Sequence, residues 1–224
     1  MPFRVLGAVL HVCLCTTAWA GGVEAKSSRA PLPSREVERP LVLPKGWADV
    51  SVATEREVSG VPGEWRPGVA LRRGLFPRHE FAVAVSEAGA RIGWRWGLRQ
   101  TEVPATSVAV ETEWRGPAEA RLGLAARRQL GGLRLTARTA GVYSYEGPHE
   151  LGGLASLEAL LQAGPLVFSQ RPELSRLGSR PMSLRWALRG GVQWTRGFDT
   201  WVTAELPVVG ARSRQIGCSV GGRF

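Results

Sequence analysis

The chain has 224 residues and a formal net charge of +10, carried by 29 Lys and Arg against 19 Asp and Glu. A basic balance of this size raises nucleic acid or acidic lipid as partners. No zinc-knuckle spacing, RNP-like string or basic amphipathic helix accompanies it, so nucleic acid is set aside. Nearly all the cations are arginines, with Lys26 and Lys45 the exceptions; Asn is absent and Asp occurs at Asp49 and Asp199 alone.

Residues 1–20 read as a secretory signal peptide. Arg4 supplies a positive n-region, Val5 to Cys15 an apolar h-region, and Ala18-Trp19-Ala20 an A-x-A cleavage site, so the mature chain is expected to begin at Gly21. Cys13 and Cys15 leave with the signal. Only Cys218 remains, and no intramolecular disulfide is expected. Residues 21–45 hold Pro31, Pro33, Pro40 and Pro44 among Ser and charge without periodicity, and read as a flexible periplasmic lead-in.

From residue 46 to 224 period-two alternation recurs, which predicts a single all-β domain. Strands are expected near 46–58 and 79–86, then at 91–99, where Ile92, Trp94, Trp96 and Leu98 oppose Arg91, Arg95 and Arg99. Further strands follow at 108–115, 120–127, 133–145, 155–169, 182–189, 198–207 and 213–224. The 155–169 stretch, with Leu157, Leu160 and Leu161, fits a helix equally well. Residues 59–78 and 170–181 read as long loops, and 87–90 and 116–117 as short turns on the other side.

The last strand places Ile216, Cys218, Val220, Gly222 and Phe224 on one face and ends on the aromatic Phe224. An exported chain closing this way resembles the Gram-negative outer-membrane β-barrels. The resemblance covers the alternation from Gly46 to Phe224 and the terminal Phe, although Gly222 and Ser219 depart from the family's closing pattern. It implies an up-and-down antiparallel transmembrane barrel of about ten strands (eight to twelve) in the bacterial outer membrane. It further implies that lipid surrounds the barrel and that the barrel-assembly machinery reads Phe224. No run of roughly 18 apolar residues follows the signal, so spanning must be by closed barrel rather than helix.

With the chain entering from the periplasm, ten strands put Trp47, Trp114, Tyr143, Tyr145, Trp194 and Trp201 on the periplasmic rim as an aromatic girdle. Trp94, Trp96 and Trp186 fall in mid-strand. The inner face then carries Arg91, Arg95, Arg99, Arg121, Arg127, Arg134, Arg138, Arg185 and Arg189 with Glu111, Glu113, Glu158 and Glu205. Buried charges need partners, so bidentate Arg–Glu pairs are expected, above all between 91–99 and 108–115. Arginine in surplus over glutamate favours anions, as Arg rings do in anion pores.

No catalytic or metal site is expected. The mature chain has His79 and His149 as its only histidines, and Ser86 lies on the far end of the strand that begins at His79. Two His and one Cys without ligand spacing make no coordination set, and no cofactor is implied. Three readings stay open: a small anion-biased pore, a plugged structural or surface-binding barrel acting through Trp65 and Phe76 in its loops, and a soluble periplasmic β-sandwich or lipid binder. The solute and the oligomeric state are not legible.

Overall fold

The computed structural model describes residues 33–59, 61–87, 89–101, 106–116, 119–145, 149–210 and 214–224. The signal segment and residues 21–32 lie outside them. Among the described residues the strands are β1 (Ala48–Ser59), β2 (Val61–Pro62), β3 (Arg66–Phe76), β4 (His79–Ser86), β5 (Gly89–Thr101), β6 (Thr106–Gly116), β7 (Glu119–Leu130), β8 (Leu133–Ser144), β9 (Glu150–Ala163), β10 (Leu166–Leu177), β11 (Ser183–Thr195), β12 (Phe198–Val209) and β13 (Gln215–Arg223). β2 is a two-residue annex on β1. The others pair antiparallel in chain order, and β13 returns to β1, giving a closed twelve-strand barrel.

Closure removes the sheet edge, so each of the twelve barrel strands has a partner on both sides. The seam runs from Asp49↔Arg223 to Glu57↔Gln215, and Phe224 extends it by exchanging backbone hydrogen bonds with Ala48 at 3.1 and 2.8 Å. The expected pairing of the closing strand with the opening one is therefore present, with Ile216, Cys218, Val220 and Phe224 exposed on the outside.

The barrel has twelve strands rather than ten, and two stretches account for the difference. The loop expected at 59–78 contains β3, which pairs with β1 along Ala48↔Arg73 to Glu55↔Arg66. Adjacent Arg72 and Arg73, one inward and one outward, hide its alternation. The single strand or helix expected at 155–169 is instead a β9–β10 hairpin turning at Gly164-Pro165, with Gly164 at φ 58°. β10 also absorbs most of the loop expected at 170–181.

The added β3 inverts the direction of every strand up to β9. The end where β1 starts and β13 stops is here called proximal. Proximal connections are mostly two-residue turns, at Pro77-Arg78, Gly131-Gly132, Gly164-Pro165 and Arg196-Gly197. The turns near 87 and 117, expected on that side, lie at the distal end, as do the longer connections 145–149, 178–182 and 210–214.

Alternation sorts the side chains as a membrane barrel requires. Leu122, Leu124, Leu151, Leu157, Leu161, Leu166, Phe168 and Val202 are exposed on the outer surface. The inner face holds buried Glu80, Ser107, Thr136, Glu158, Gln162, Ser169, Gln193 and Asp199. An outer surface this apolar is suited to hydrocarbon rather than water.

Candidate functional site

The lumen holds part of its own chain. The stretch expected to be a flexible lead-in is, over its described residues 33–45, seated inside the proximal half of the barrel. Its contacts reach strands on all sides: Leu43 N–H donates to Glu80 of β4, Arg127 of β7 donates to the Arg39 carbonyl, and Arg134 of β8 to the Glu36 carbonyl. Val37 N–H donates to Gln162 of β9, Glu36 N–H to Gln193 of β11, and Arg39 to Asp199 of β12. Only a segment within a closed ring of strands can touch so many of them. We refer to it as the strap.

A short 3-10 turn at Glu36–Glu38 gives the strap its shape. Val37 packs with Leu160, Val167 and Trp201, while Leu41 and Val42 pack with Ala109 and Ala125. These wall residues form apolar patches on an otherwise polar inner face. Burying a Val or Leu side chain contributes about 1.5–3 kcal/mol, so the strap is matched to its seat by packing as well as by hydrogen bonds. It enters across Gly74, bridged to Lys45, where a Cβ would come within 2.0 Å of the Pro44 carbonyl oxygen. Any larger residue at 74 blocks that path.

Arginine–carboxylate pairs line the wall around the strap. Glu80, 1% exposed, accepts from Arg72 at 2.8 Å and from Arg95 at 2.9 Å in addition to Leu43 N–H. Arg95 also donates to Glu111 at 2.5 Å, and Arg138 spans Glu111 and Glu158 at 3.5 Å each. Across the lumen Arg223 is joined to Asp199 and, at 3.0 Å, to Asp49. Arg189 lies over the Trp201 ring at 4.5 Å, and Trp201 donates its indole N–H to Asp199. Burial, and then the charge of Arg223, lower the Arg39 guanidinium to about 10, which leaves it cationic at neutral pH.

Between strap and wall remains a cavity of about 230 Å³ lined by Arg39, Asp49, Arg72, Arg138, Arg189 and Arg223. At ~30 Å³ per water it holds several waters and no large solute. The distal half is more open, with a vestibule of about 500 Å³ lined by Glu119, Arg121, Glu173, Arg180 and Arg185.

Arg95, Glu111, Arg134, Arg138 and Arg189 surround the strap; Arg121 and Arg185 line the distal vestibule, Arg91 lines a second distal cavity, and Glu113 lies opposite Arg121. The expected pairing of β5 with its neighbour is seen in Arg95–Glu111, while Glu113 pairs with Arg115 of its own strand. Arg99 departs from expectation. A bulge between Gly97 and Arg99 shifts the register so that Arg99 pairs with outward Val108, and it lies exposed on the outer wall. Arg39, Glu36, Arg72 and Arg223 were not singled out from sequence. Glu80 was legible as an alternating position on β4, but without β3 it had no visible partner.

The aromatic girdle is redistributed. Trp47, Trp194 and Phe224 stay at the proximal end, but Trp114, Tyr143 and Tyr145 lie at the distal end because their strands run the other way. Trp201 is not on the outside at all: it is 6% exposed and points into the lumen over Gly191, which leaves space for its ring. Trp94 and Trp96 flank His79, with His79–Trp96 stacked at 5.8 Å, and with Phe76 they form a proximal outer cluster. Aromatic residues thus band both ends of the barrel, as a membrane with two interfaces requires. Trp65 sits in a distal connection, whereas Phe76 is proximal and shares no loop with it.

No protein-family model and no curated protein matches this chain by sequence. Solved structures do match. A KdgM porin is similar with a TM-score of 0.62 at 10% identity, covering 79% of this chain and 99% of the porin. A NanC porin is similar with a TM-score of 0.64 at 6% identity, covering 78% and 100%. A KdgM porin in complex with disordered oligogalacturonate gives 0.61 at 11% identity, covering 78% and 99%. The chain has the porin-like fold of an outer-membrane β-barrel. That fold, with its apolar outer wall and banded aromatics, places it in the bacterial outer membrane.

Proposed function

We propose that this protein is a small, anion-biased outer-membrane pore. The observation that carries the reading is the charge of the lumen around the strap. Arg39, Arg72, Arg95, Arg127, Arg134, Arg138, Arg189 and Arg223 outnumber Glu36, Asp49, Glu80, Glu111, Glu158 and Asp199 there. Local pairing cancels much of that charge, and the surplus sets a positive potential that attracts anions. Small carboxylate-bearing solutes are the class such a wall suits, and a neighbour of the same fold was solved with an acidic oligosaccharide. The signal peptide delivers the chain, the assembly machinery reads Phe224, and the proximal end faces the periplasm. The test is the zero-current potential of the refolded protein in a salt gradient: an anion-directed value supports the pore, and a cation-directed value rejects it.

A second reading has one specific observation behind it. The strap fills the proximal lumen, so a permanently plugged barrel acting through its distal loops also fits. A folded barrel that stays silent under every condition is the result expected from that alternative.

A further inference from the structure

We propose that the strap is a tethered competitor: the Glu36 carboxylate occupies an arginine cage, and a carboxylate-bearing solute displaces it and opens the lumen. The proposal rests on the anion-pore reading above.

The Glu36 carboxylate is held by Arg39, by Arg134 at 3.7 Å and by Arg223 at 3.5 Å. The cations are nearly buried, at 6% exposure for Arg39 and Arg134 and 9% for Arg223. Arg39 belongs to the strap and leaves with it. Arg134 and Arg223 belong to the wall and stay, as does Arg127, which donates to the Arg39 carbonyl at 2.9 Å. Removing the strap therefore strips Arg134 and Arg127 of backbone acceptors and takes a carboxylate from Arg223. Guanidinium groups left in that state make a ready site for another carboxylate.

Nothing covalent holds the strap. Its other polar anchors are the Gln162 and Gln193 amides, the Glu80 carboxylate that accepts from Leu43 N–H, and Asp199, which accepts from Arg39. When the strap leaves, Gln162 and Gln193 keep each other at 2.8 Å, Glu80 keeps Arg72 and Arg95, and Asp199 keeps Arg223. The apolar seat at Leu160, Val167 and Trp201 favours its return once the solute has gone.

The test compares the mature protein, Glu36→Gln and a variant lacking residues 33–43 in planar bilayers, with citrate as probe. Preparations are used only when gel mobility is heat-modifiable. The parent is expected to be mostly closed, Glu36→Gln to open about ten-fold more often, and the deletion to stay open. Millimolar citrate is expected to raise opening of the parent and to reduce current through the deletion by occupying Arg134 and Arg223. Equal opening of all three, or no response to citrate, overturns the proposal while the zero-current potential still decides the anion bias. A deletion variant that is folded yet silent overturns the strap and the pore together.

Discussion

Glu36 and Arg134 meet twice: the Arg134 guanidinium donates to the Glu36 carbonyl at 2.6 Å and lies 3.7 Å from its carboxylate. Residues 98 positions apart are thereby joined inside the barrel, one on the strap and one on β8. A charged hydrogen bond of this kind contributes about 1.5–3 kcal/mol. Arg134→Ala is expected to loosen the strap by that amount while leaving the barrel closed. Tryptic cleavage after Arg35 checks it, and should accelerate by about ten-fold or more at constant heat-modifiable mobility. An unchanged rate means that the contact does not hold the strap.

Gly74 controls entry. Its Cβ position lies 2.0 Å from the Pro44 carbonyl oxygen, a backbone atom that cannot give way without moving the strap. Gly74→Val is expected to displace Leu43 from Glu80 and to speed amide hydrogen exchange at Leu43, with β3–β4 pairing retained. Full protection at Leu43 in the variant contradicts this placement.

Arg95 bridges Glu80 and Glu111. Arg95→Glu brings a third carboxylate between two others, and breaking a buried pair costs up to about 3–5 kcal/mol; water reaching this partly exposed side chain lessens the penalty. A lower urea midpoint is expected together with a shift of the zero-current potential towards cations. A shift in stability without one in selectivity assigns Arg95 to the wall's structure alone.

Cys218 reports on the outer wall. It is exposed beside Val202 and Val220, which are 65% and 45% exposed. In bilayers it is expected to react with an uncharged, lipid-soluble maleimide and to resist a charged thiosulfonate. Ready reaction with the charged reagent contradicts a lipid-facing β13.

Period-two alternation made most of the wall legible, because strands such as β5 and β7 put their large apolar residues on one face. β3 stayed hidden: Arg72 and Arg73 are adjacent, one pairing with Glu80 inside and the other facing out. The β9–β10 hairpin carried a readable signal in Gly164-Pro165, obscured by the Leu160-Leu161 doublet. One missing strand then reversed the direction of its successors, which moved Trp114, Tyr143 and Tyr145 to the wrong end. The strap was beyond local pattern altogether. Its order comes from partners over a hundred positions away, such as Gln162 and Gln193, and a Pro-rich stretch without periodicity gives no hint of them.

With an arginine surplus around the strap, this barrel is expected to pass anions in preference to cations. The zero-current potential of open channels in a potassium chloride gradient tests it most directly. A reversal potential displaced towards that of chloride is the expected result. One displaced towards that of potassium would contradict it.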